Sequence, residues 1–217
     1  MSIASSSAAS YLRRRAFAMA LGLRAVYGEV ETAAMTLFPS RRRVERQAAA
    51  RLYGACVGAA RNPVLYLAYG VPDTLQGRFE MVTLHLFPVL HRLMHEPGDD
   101  PELARLVSES FVADMDSAFR EMGVGDVTVP KRMTTLYRSF GGRISAYHAA
   151  LKSGEEALVA AIARNVFPDS PDDRRAPALA LYLRTAVRML RHAELDRLRR
   201  GEAPFPEPLD ERSRHEP

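Results

Sequence analysis

His91 and His95 stand four residues apart in the stretch VLHRLMHEP, a spacing that lays two imidazoles on one face of a helix. Two such rings are half of a zinc site, which needs a third and a fourth ligand. The glutamate that a metalloprotease helix carries between its two histidines is absent. The pair therefore reads as two residues near a helix C-terminus, helping its dipole, and no metal or cofactor is expected. His85 is out of phase with them and reads as a packed polar position. Asp114 and Asp116 flank Met115. Residues two apart on a helix point in different directions, so they are not a carboxylate pair. GDDPE and PDDRR lack the DDxxD spacing with which helical isoprenoid enzymes hold magnesium, and both read as capping turns. No GxSxG, P-loop or complete GxGxxG occurs. The single cysteine, Cys56, excludes an internal disulfide and any CxxC motif, and reads as a small buried hydrophobe. The chain reads as a protein that is not an enzyme.

The elements that would position these residues are helices. Val44, Ala48, Leu52, Ala55 and Ala59 recur at helical spacing from Arg43 to Arg61, and Asn62-Pro63 stops that helix. In YGVPDTLQGRF, Gly70 suits a left-handed turn, Pro72 fixes an extended approach, and Asp73 or Thr74 can cap the next helix. That helix, about Leu75 to His95, is apolar nearly all round and should be central. Pro88 inside it removes one hydrogen bond and predicts a kink near Leu84, at a cost of roughly 3 kcal/mol unless packing offsets it. Asp99 or Asp100 caps a helix from Pro101 to Met122, and a helix opening at Pro130 carries Gly141-Gly142 in its middle. Close approach of a neighbouring helix, or a local break, would explain that glycine pair. A short helix, Glu155 to Val166, follows. The last, Pro177 to about Arg200, sets Tyr182, Leu183, Ala186, Leu190 and Ala193 against a stripe of Arg184, Arg188, Arg191 and Arg199. Such a stripe is either a solvated face or a dock for an anionic partner. The expected fold is all-α, a single compact domain of six to seven helices over residues 41–200. A proline-rich, disordered tail is expected over 201–217 and an N-terminal extension over 1–40.

That extension is serine-rich, carries Arg13, Arg14, Arg15 and Arg24, and has no acid before Glu29. It is open to reading as a start-site artefact with Met35 as the true start, as a disordered or surface-helical tail, or as a targeting segment. No apolar run is long enough to span a membrane. The formal charge of +4 weakly favours an acidic partner. Only Lys131 and Lys152 among the 30 basic residues are lysines, so GC-rich coding bias accounts for part of that charge.

Three segments taken together resemble the ubiquinol–cytochrome c chaperone family: ARLYGACVGAARNPVLYLAYGVPDTLQGRFEMVTLHLFPVLHRL, FVADMDSAFREMGVGDVTVPKRMTTLYRSFGGRISAYHAAL and RNVFP. The resemblance covers roughly Arg51 to Phe167 and departs at Pro88, where an aliphatic residue is expected. It implies an all-α fold, no catalytic residue, and a role as an assembly chaperone for complex III that binds newly made cytochrome b. In mitochondrial members it also implies contact with the ribosome. The positions it marks for a partner surface are Asp73, Thr74, Gly77 and Arg78 in the first motif. In the second they are Asp114, Asp116, Arg120, Gly123, Gly125, Asp126, Lys131 and Arg143. The same residues have a bland reading as turns, caps and an internal salt-bridge network. The expected partners are cytochrome b or another complex III subunit, with the ribosome or an anionic membrane surface as further contacts. The expected location is bacterial cytoplasm, peripheral to the inner membrane, or alternatively the mitochondrion. A helical DNA-binding regulator is the runner-up, weakened because Pro72 stands where a recognition helix would start. A helical isoprenoid- or quinone-related enzyme is a weaker alternative.

Overall fold

Helix α1 (Pro39–Ala60) opens the computed structural model, which describes residues 39–122, 128–170 and 174–209. It is followed by α2 (Pro63–Leu67), α3 (Leu75–His95), α4 (Pro101–Glu121), α5 (Val129–Ser153), α6 (Glu155–Val166), α7 (Ala176–Arg191) and α8 (Leu195–Arg199). No strand occurs among the described residues. The expected all-α, single-domain architecture is borne out.

Helix α3 starts and stops where its sequence dictates. The Thr74 side chain caps it, Oγ1 accepting from the Gly77 N–H at 3.1 Å, so Thr74 rather than Asp73 fills that role. Gly70 takes the left-handed turn before it, with φ +64°. At the following helix Asp100, not Asp99, accepts from the Leu103 N–H. Every residue from Thr83 to Leu90 is buried, and α3 packs against α1, α4, α5, α6 and α7. It is the central helix, as an all-round apolar surface requires. Pro88 lies inside it and the helix continues through, with the Leu84 carbonyl deprived of its usual donor.

Helix α5 also runs unbroken through Gly141-Gly142. Gly141 is buried, whereas a Cβ on Gly142 would meet nothing within 4 Å, so no close neighbour explains the second glycine.

Two features of the C-terminal region differ from the sequence expectation. The last helix is not continuous to Arg200. It ends at Arg191, turns through 192–194 and resumes as α8, which packs on α1 and buries Leu198. A straight helix would carry Leu198 away from that apolar contact. Residues 201–209 then run along the core. Phe205 packs edge-on against His85, with ring centroids 5.2 Å apart, and the Leu209 N–H donates to the Tyr69 hydroxyl. Pro204 and Pro206 suggested disorder by composition, but flanking prolines also restrict the unfolded chain and lower the entropic cost of docking that ring. Residues 1–38 and 210–217 lie outside the described residues.

His85 is fully buried at the centre of this packing. Its Nδ1 is 2.7 Å from the Met81 carbonyl, which can only accept, so the ring proton sits on Nδ1. Nε2 therefore accepts from the Tyr182 hydroxyl of α7, at 2.8 Å. Burial pushes the imidazole down to about 4 from its usual 6.5. The unfolded chain thus takes up a proton before the folded one does. The stability this gives is fully present above about pH 6.5 and is lost as pH falls toward 4. We predict that the urea-unfolding free energy falls through this window. The His85→Leu chain should lack on the order of 3 kcal/mol of that fall. Equal pH slopes for the two chains would refute the assignment.

Candidate functional site

A groove of about 600 Å³ lies between the C-terminal end of α1, the stretch from α2 to the first turns of α3, and Asp114 and Met115 of α4. Val57, Ala60, Phe79, Val82 and Met115 give it an apolar lining. Leu67 and Leu75 stand on its edge 71% and 66% exposed, the largest exposures of any large apolar side chain among the described residues. Arg61, Asp73, Arg78 and Asp114 add charge to the same rim. The trough is thus oily inside, mixed in charge at the border and open to solvent, a combination that suits an amphipathic or apolar peptide segment.

Its shape rests on the first sequence motif. A Cβ on Gly77 would come within 1.9 Å of the Pro72 carbonyl oxygen, so only glycine lets the loop fold back over the first turn of α3. Asp73 and Arg78 then meet on the outside, Nε to Oδ1 at 2.7 Å, with both side chains mostly exposed. The Arg78 guanidinium holds the Asp73 carboxyl below the usual range. Gly70 is sealed from the far side by Arg175, which donates to its carbonyl at 2.8 Å and stacks over Phe167.

Of the second-motif residues, Asp114 joins the groove. It accepts from the Tyr53 hydroxyl of α1 at 2.5 Å, and burial together with that bond pushes the Tyr53 hydroxyl upward. Asp116 and Arg120 pair with each other at 2.8 Å one turn apart on α4, away from the groove. Lys131 is exposed near the start of α5. Gly123, Gly125 and Asp126 lie outside the described residues.

Arg143 is the exception to a surface role. It reaches from α5 to Glu80, which is 1% exposed, with three nitrogen–oxygen approaches of 2.5–2.7 Å. Its guanidinium also lies 5.2 Å from the centre of the Phe79 ring, directly behind the groove lining. Burial pushes the Glu80 carboxyl up, against the pull of Arg143 and Gln76. The sequence signal for this pair was a lone acid inside the apolar run RFEMV, and its partner is 63 positions away.

The basic stripe is largely engaged within the fold. Arg184 pairs with Glu155 at 2.5 Å, Arg191 with Glu96 at 3.0 Å, and Arg199, on α8 rather than on the same helix, with Asp100 at 3.0 Å. Arg188 is exposed. The two histidines read as helix-end residues are joined by His148 of α5, whose ring centroid lies 4.3 Å from that of His95.

A family model described as ubiquinol-cytochrome C chaperone matches residues 67–205. The chain is 28% identical over 144 residues to ubiquinol-cytochrome-c reductase complex assembly factor 1 of Xenopus laevis. That match covers 66% of this chain and 72% of the frog protein. It is 27% identical to the Homo sapiens protein of the same name over 66% of this chain, and there it spans about half the relative's length, 48%. The crystal structure of the Cbp3 homolog from Brucella abortus superposes with a TM-score of 0.70 at 37% identity. The superposition covers 78% of this chain and 94% of that one.

The two helix glycines Gly77 and Gly142 should respond in opposite directions. Gly77→Ala should destabilise by about 2–3 kcal/mol through overpacking, whereas Gly142→Ala should gain roughly 0.5–1 kcal/mol. Thermal or urea unfolding measures both. Arg143→Met strands the Glu80 carboxylate in the core and should cost about 3–5 kcal/mol in the same measurement. A loss below about 1 kcal/mol would show that the pair behaves as a surface bridge.

Proposed function

The chain belongs to the ubiquinol–cytochrome c chaperone family, and on that premise we propose that it is a non-enzymatic assembly factor for complex III. In this reading its client is newly made cytochrome b, held as an apolar segment in the groove between α1, α3 and α4. The observation that carries the reading is that groove, with Leu67 and Leu75 held out to water on its edge. Large apolar side chains in that setting mark an interaction surface. A membrane subunit on its way to assembly presents apolar helical faces before lipid covers them. A helix lying in the trough would bury such a face and meet the rim charges with its polar one.

Asp73, Arg78 and Asp114 set orientation in this reading, since charged rims steer encounter and register more than they add affinity. Arg143 positions Phe79 from behind. A further contact with the ribosome or an anionic membrane surface draws on Arg188 and the exposed side of α7. Three of the four stripe arginines already have carboxylate partners, so that contact is weaker than the composition suggests. The site of action we infer is next to the membrane that receives cytochrome b.

The test uses Leu67→Asp and Leu75→Asp. Both positions are exposed, so stability should move by no more than about 0.5 kcal/mol. In the native host the double variant should reduce assembled complex III on native gels, and the haem b signal in difference spectra, to the level of a deletion strain. Wild-type levels of complex III in a host that makes normal amounts of the variant would overturn the groove assignment. Normal levels in the deletion strain would overturn the function itself.

A further inference from the structure

We propose that His91, His95 and His148 form a zinc-binding site that ties the C-terminal end of α3 to α5. The three rings offer ligand nitrogens that all lie within 4.8 Å of one another. Around a tetrahedral zinc with nitrogens at about 2.0–2.1 Å, neighbouring ligand nitrogens lie roughly 3.4 Å apart. His91 Nδ1 and His148 Nδ1 are already 3.3 Å apart. His95 is exposed, so its side chain is free to close the remaining distance.

The surroundings favour a cation. With Nδ1 of His91 turned to the metal, the remaining ring proton sits on Nε2, which faces the Glu96 carboxylate at 3.6 Å. A carboxylate behind a ligating imidazole fixes the tautomer and raises the ligand's basicity. Glu96 is 10% exposed and is held by Arg191 through its other oxygen at 3.0 Å, so Oε1 is left toward His91. The opposing charge is Lys152, one turn beyond His148, which is exposed and therefore screened by solvent. Burial and the neighbouring rings hold His91 down to about 4, and His95 and His148 are lowered as well, so all three are neutral at physiological pH, as ligands must be. Three imidazoles suit zinc rather than magnesium or calcium, which prefer oxygen. The fourth position opens to solvent beside His95. The site is at the opposite end of α3 from the groove, so it is separate from the client surface proposed above.

The experiment uses the untagged full chain, stripped with chelator and titrated calorimetrically with zinc chloride, with magnesium chloride as control. The expected result is one zinc per chain and no magnesium. In the His95→Gln and His148→Gln chains affinity should fall at least ten-fold. Cobalt(II) should give the intense visible bands of a tetrahedral site in the wild type and not in either variant. His95 is exposed, so its variant keeps the fold, which circular dichroism checks. No zinc uptake by the wild type would overturn the proposal. So would equal zinc affinity in the wild type and the folded His95→Gln chain.

Discussion

Helix α3 is enclosed along eight consecutive residues, Thr83 to Leu90, and the ionisable side chains buried along the helix draw partners from distant parts of the chain. His85 finds Tyr182 on α7, and Glu80 finds Arg143 on α5. Arg92 reaches the carbonyls of Gly98 and Ala193 at 3.3 and 3.4 Å. Apolar packing alone would tolerate several arrangements of helices around such a core. These polar pairs do not, since a different helix order would strand a charge or a ring nitrogen away from water. The remaining helices are arranged around that demand.

The groove is a product of the same constraint at the amino-terminal end of α3. There the helix emerges from its neighbours, and the Pro72–Gly77 contact folds the incoming loop against its first turn. Phe79 lies on the boundary, half in the core beside Phe111 and half in the trough, with Arg143 pressed on it from within. The rigid interior thus shapes the face offered to solvent, and the residues marked by the two sequence motifs divide accordingly. Asp73, Arg78 and Asp114 border the groove, while Arg143 supports it from the core.

Much of the helical plan was legible in the sequence because its signals are local. Thr74 or Asp73 before LQGRF, Asp100 before Pro101 and Gly154 after Ser153 mark boundaries within a turn or two of the groups they satisfy. What remained hidden depends on residues far apart in the chain. Glu80 and Arg143, or His91 and His148, are 63 and 57 positions apart, and no periodicity announces which will meet. The turn after Arg191 and the docking of Phe205 were missed for a related reason. Helical spacing and proline content describe a segment by itself, and both features are decided by what lies opposite.

The bond between His85 and Tyr182 spans 97 residues, and the Leu209–Tyr69 contact spans 140. During synthesis at about 5–20 residues per second, the core helix waits roughly 5–20 s after it is made before its partner on α7 exists. Throughout that interval the face of α3 that α7 covers has no native cover. The chain's own yield in the cell therefore depends on whatever shelters it before the last helices arrive.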